Sequence, residues 1–124
     1  KQFLKGIKQI AEEGAIQVFK QPNIGVETLM IGVAGVLQFE VLEYRLKNEY
    51  RVDITLQVTP FIFARWLVGT KAPEEISVYS GSVSIVEDRY QRPVMLFKDP
   101  WTVNKAENDN KDVAFLSIAP PVLG

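Results

Sequence analysis

The 124-residue sequence predicts an α+β domain, and three observations predict it. Apolar residues recur at helical spacing in two places, near the start and over residues 36–50. Between and after these stretches come short apolar runs bounded by Gly, Pro and Asn, the punctuation of strands and turns. The residues are 47% hydrophobic and 23% charged, ordinary globular usage, and the length suits one domain.

The elements follow in order. Phe3, Ile7, Ile10 and Ala11 form one stripe and Lys1, Lys5 and Lys8 the opposite one, which predicts an amphipathic helix. Lysines in a first turn oppose the helix dipole, and no Ser, Thr, Asp or Asn cap precedes them. With Lys1 rather than Met at the start, the expectation is that the natural helix, or protein, begins upstream. Glu12-Glu13-Gly14 ends the helix, with Gly14 suited to the position just past its C-terminus. Residues Ala15 to Phe19 read as a strand, Gln21 to Gly25 as a turn and Thr28 to Ala34 as a strand buried on both faces. Helical period resumes from Val36 to Tyr50, with Phe39, Leu42 and Leu46 inward. Val52, Ile54, Leu56 and Val58 then alternate with polar residues, the mark of a half-buried strand. Helix, strand, strand, helix, strand, with one more strand supplied upstream, is the ferredoxin-like split β-α-β unit.

A second small α+β portion is expected over residues 60–124, after the split unit of residues 1–59. Phe61 to Val68 reads as a strand, Glu74 to Tyr79 as a helical turn, and Ser82 to Glu87 and Pro93 to Lys98 as strands around a turn at Asp88–Arg92. Asp99 caps a helix opened by Pro100 that fades near Asn108–Asn110, and Val113 to Ile118 is the last strand.

Composition excludes much chemistry. The chain has no cysteine and no histidine, hence no disulfide, thiolate zinc site, cysteine nucleophile or imidazole base. Fourteen basic against fifteen acidic residues leave a net charge of −1, so no global positive field attracts DNA or RNA. No run of 18 apolar residues spans a membrane, and KQFLKGIKQI lacks the apolar core of a signal peptide.

Candidate sites have ordinary readings beside functional ones. Glu12-Glu13, Glu74-Glu75 and Glu87-Asp88 are acid pairs, but sequence neighbours point apart, so they read as solvated surface. Gly32-Val33-Ala34-Gly35 precedes a helix N-terminus, yet Val36-Leu37 stands where a phosphate loop needs Lys-Ser/Thr. Asp109 and Asp112 lack enough companions for a metal, and Trp66 and Trp101 read as core or inter-element contacts. Basic residues adjoin aromatics at Tyr44-Arg45, Tyr50-Arg51, Arg65-Trp66 and Arg89-Tyr90, a pattern compatible with RNA contact or with a strand whose aromatic faces inward. Arg45, Lys47 and Arg51 cluster at one end of the second helix and, with Arg65, are the candidate ribosome contacts once the following resemblance is considered.

KQFLKGIKQIAEEGAIQVF at residues 1–19 and GVAGVLQFEVLEYRLKNEYRVDI at residues 32–54 resemble the C-terminal domain of the bacterial class II termination factors, peptide chain release factor three. Ala64-Arg65-Trp66 and RPVMLFKDPWTVNKAENDN at residues 92–110 are similar to the same family. The third domain of elongation factor G shares the layout, but it ends its first helix in Glu-Glu-Asp-Pro and opens its second with Gly-Glu-Leu-His. Glu12-Glu13-Gly14-Ala15 and Gly35-Val36-Leu37-Gln38 depart from both. The resemblance implies a cytoplasmic translational GTPase that removes class I release factors from the ribosome, with GTP and Mg²⁺ held in a separate G domain. It implies no catalysis and no cofactor within these residues, which would instead dock the factor on ribosomal protein or RNA. Three other readings stand beside it: the third domain of an elongation factor G-like translational GTPase, a protein-interaction module without RNA contact, and a small enzyme whose carboxylates, lysines or tyrosines converge in a pocket.

Overall fold

Residues 2–21, 29–69, 71–78 and 81–122 are described by a computed structural model of the chain. It is an α+β protein with three α-helices and six strands among the described residues, and it divides into two compact units, one ending at Val58 and one running from Thr59 that also takes in Gln21.

In the first unit, α1 spans Gln2–Glu12 and buries Ile7, Ile10 and Ala11 of the predicted stripe together with Gly6, while Phe3 packs half-buried against the core. Gly14 adopts a φ of +83°, and its N–H bonds the carbonyl of Ala11, closing the helix as only glycine does freely. Two antiparallel strands follow, β1 (Gln17–Lys20) and β2 (Leu29–Gly32), with Val18 opposite Ile31 and Phe19 opposite Met30. The expected turn at Gln21–Gly25 lies outside the described residues apart from Gln21. α2 spans Leu37–Tyr50 and buries Leu42 and Leu46. It crosses α1 closely: a Cβ on Gly6 would sit 2.7 Å from Leu46 Cδ2 and 2.9 Å from the Tyr50 ring. Ile7, Ile10, Ala11, Ile16, Leu42 and Leu46 form the core of this unit.

Residues 52–58 do not form the predicted strand. Val52 and Ile54 pack half-buried against the core, but Leu56 is 39% and Val58 96% exposed. Alternation decides which side chains face inward once a backbone is paired; it supplies no partner. No ladder involves this segment among the described residues, and β2, expected to be buried on both faces, is half-buried throughout.

The second unit is an antiparallel sheet in the order β4-β5-β3-β6, with β3 at Phe63–Val68, β4 at Val83–Asp88, β5 at Pro93–Phe97 and β6 at Ala114–Leu116. Phe97 lies opposite both Phe63 and Val83, and Leu67 opposite Phe115. A single 3₁₀ turn, Pro73–Glu75, stands where a longer helical turn is expected. α3 spans Pro100–Asp109; the Asp99 carboxylate accepts from the Thr102 N–H at 2.8 Å and Pro100 opens the first turn, as the sequence predicts. Val103 and Ala106 of α3 join Met95, Phe97, Ile76 and Val113 in the core. Asn110 is buried at the end of α3, where its side chain accepts from the Ser77 N–H and donates to the carbonyls of Ser77 and Ala106.

Candidate functional site

The basic cluster is built on the last two turns of α2. Arg45 leaves the helix towards α1 and forks between two carboxylates: its guanidinium binds both oxygens of Glu13 and, at 3.0 Å each, both of Glu49. The Arg45 hydrogen bonds hold the Glu13 carboxyl below its ordinary pKa, and those two acids push the arginine's pKa further upward. Such a bidentate fork fixes the side chain and cancels its charge locally. Arg45 thus ties the end of α1 to α2.

Arg51 caps α2 in the left-handed conformation at φ 59°, while the Val52 N–H reaches back to the Leu46 carbonyl. That conformation favours glycine and turns the chain sharply, leaving Arg51 exposed beyond the helix. Lys47 is exposed one turn earlier. It lines a groove of about 440 Å³ with Glu40, Glu43, Tyr44 and, across it, Asp53. All five of these side chains are exposed to water.

Arg65 belongs to the second unit, whereas Arg45, Lys47 and Arg51 belong to the first. It lies on β3 with its guanidinium 5.6 Å from the Phe63 ring and Nη1 donating to the Ala64 carbonyl. Its sequence neighbour Trp66 points to the other face, because strand neighbours alternate. Lys98 likewise sits over Phe61, 5.7 Å away, rather than over the adjacent Phe97.

One acid reads differently in the structure. Asp88, taken with Glu87 as solvated surface, is 3% exposed. Its carboxylate accepts from Trp66 Nε1 at 3.0 Å, Arg92 Nε at 2.8 Å and the backbone N–H groups of Tyr90 and Arg92 at 2.9 Å each. Burial raises its pKa, but these hydrogen bonds outweigh burial and leave it below the ordinary carboxyl value. Arg92 also donates to the Pro120 carbonyl. The turn thereby presents Tyr90, with the Arg89 guanidinium 4.6 Å from its ring. An aspartate followed by a four-residue turn into a strand was the available signal, the pattern of a side chain capping its own turn. Trp101, read as a packing residue, is 59% exposed on α3.

The residues at the start of α2 do not fit a nucleotide. Gly35 is followed by Val36 and Leu37, 82% and 72% exposed, with no Lys-Ser/Thr to meet phosphate or Mg²⁺. Among the described residues no group of three His, Cys, Asp or Glu side chains is placed to hold a metal. Asp109 pairs with Lys105 and Asp112 with Lys71.

Comparison with known proteins places these features in a family. The family described as "Class II release factor RF3, C-terminal domain" matches residues 1–107. Proteins named peptide chain release factor 3 match nearly the whole chain. The one from Acaryochloris marina is 36% identical over 97% of this chain and 22% of its own length, and that from a Cyanothece strain 37% identical over 100% and 23%. The Synechocystis protein is 37% identical over 98% and 22%. The chain therefore spans less than a quarter of the length of these relatives. From its first helix to within the last turn of α3, the chain belongs to the family of class II release factor RF3 C-terminal domains.

Proposed function

We propose that this domain docks a translation-termination GTPase on the ribosome, in the cytoplasm, and serves the recycling of class I release factors. The observation that carries the reading is the family match over residues 1–107, supported by relatives that bear the release-factor name along the whole chain. In this reading, GTP and Mg²⁺ belong to a G domain outside these 124 residues, and the domain's own part is mechanical. Two features of this chain suit a docking body: a bidentate Arg45–Glu13–Glu49 brace between α1 and α2, and exposed cations beyond it. Lys47 and Arg51 are the proposed contacts at the end of α2, with Arg45 holding that end in place; Arg65 is a separate contact on β3. No helix among the described residues is long and apolar enough to cross a membrane.

The test is pelleting with 70S ribosomes of a protein of the relatives' full length carrying this domain. Lys47→Glu/Arg51→Glu should weaken binding several-fold at low salt and less at high salt, because the lost contacts are screened charges. Unchanged binding at low salt would remove both residues as contacts. A gene whose reading frame upstream of Lys1 lacks a GK[S/T] phosphate loop would sink the GTPase reading itself.

A further inference from the structure

α2 is apolar on two opposite faces. Leu42 and Leu46 face the core, 1% and 0% exposed, while Leu37, Val41 and Tyr44 are 72%, 47% and 68% exposed. The exposed three stand at i, i+4 and i+7, one stripe along the helix. A helix on a small domain needs a single apolar stripe to fold; a second in water gains no packing, and contiguous exposed apolar surface marks an interaction face.

Charge beside the stripe says what covers it. Glu40 and Glu43 lie beside it on α2 and line a groove with Asp53 and the ammonium of Lys47, while Arg51 is exposed beyond the end of the helix. None of these three carboxylates makes an ion pair among the described residues. Three carboxylates against one ammonium in the groove attract lysine and arginine side chains. We infer that this face of α2 docks an amphipathic, cationic segment of another protein. Its apolar side chains lie on Leu37, Val41 and Tyr44, and its basic side chains reach Glu40, Glu43 and Asp53. The assignment does not rest on the ribosome reading and survives its failure.

The experiment titrates the isotope-labelled chain, followed by NMR, with two 15-residue helical probes, one of leucine and lysine and one of leucine and glutamate. The lysine probe should shift the amides of residues 37–44 and 53 saturably, and the glutamate probe should not. Glu40→Gln/Glu43→Gln/Asp53→Asn should weaken the lysine probe about tenfold, and Tyr44→Ala should weaken it with all three charges present. Shifts scattered over the surface, or an affinity unmoved by the triple variant, would overturn the proposal. So would a single-stranded RNA that titrates the same amides, or concentration-dependent shifts of the chain alone, which would make the occupant a second copy. In a protein of the relatives' full length, a Val41→Cys thiol should react with maleimide at the rate of an exposed thiol. Protection before any partner is added would mean that the protein covers its own face, and would also overturn the proposal.

Discussion

In the second unit four strands form one continuous antiparallel ladder, and Phe97 at its centre is fully buried with strand partners on both sides. In the first unit two strands of four residues pair antiparallel, and residues 52–58, which alternate like a strand, join no ladder among the described residues. The two also use charge differently. The second unit buries the carboxylate of its Asp88–Arg92 pair, which accepts four hydrogen bonds that shape a turn. The first keeps Arg45–Glu13–Glu49 at the surface, as a brace between helices. Helices satisfy their backbone internally, so the first unit combines α1–α2 packing with one strand pair, whereas the second depends on strands finding partners elsewhere in the chain.

The sharpest way to break this comparison is to remove its buried charge. Asp88→Ala strands the Arg92 guanidinium and two backbone N–H groups, and should cost about 3 kcal/mol in chemical denaturation. The pH dependence has a definite sign. The folded carboxyl titrates below its unfolded value near about 3.9, so its stabilisation is present above that pH and is lost as pH falls through the folded value. Acid unfolding should therefore be shallower in the variant than in the parent chain. A parallel slope would show that other carboxylates govern acid stability.

Next in size is the helix crossing of the first unit. Gly6→Ala places a methyl against Leu46 and Tyr50 and should destabilise by about 2 kcal/mol. A neutral result would show that α1 and α2 can separate without loss, and that their packing does not hold the unit. Arg51→Gly relieves the left-handed residue at the end of α2 and should gain about 1 kcal/mol. Measured with ribosome pelleting, the same change separates the side chain's proposed contact from its backbone cost. The smallest effect is expected at Val58→Asp, within about 0.5 kcal/mol, because that side chain is 96% exposed. Amide exchange over residues 52–58 should be fast in the same sample. Slow exchange there would mean that the segment is paired after all, and would erase the difference between the units.

Much of the fold was legible because it is locally encoded. The stripe of Phe3, Ile7, Ile10 and Ala11 and the Asp99-Pro100 cap each specify an element within a few residues, and each stands where it was expected. Residues 52–58 were misread because a period of two reports facing and not pairing. The candidate site divides the same way. That Arg45, Lys47 and Arg51 share one end of α2 follows from helical spacing. That Arg45 is consumed by Glu13, 32 residues away, does not.

By itself the sequence determined the class of the protein, its helices, the absence of imidazole and thiol chemistry, and the release-factor kinship, because these depend on composition, local periodicity and residue order. Only the tertiary structure decided which charges face water and which are paired. It buried Asp88 beneath Trp66 and Arg92, tied Arg45 to α1, and left Leu37, Val41 and Tyr44 bare beside three carboxylates. A charge's worth depends on its neighbours in space and on how far water is excluded, and a linear sequence specifies neither.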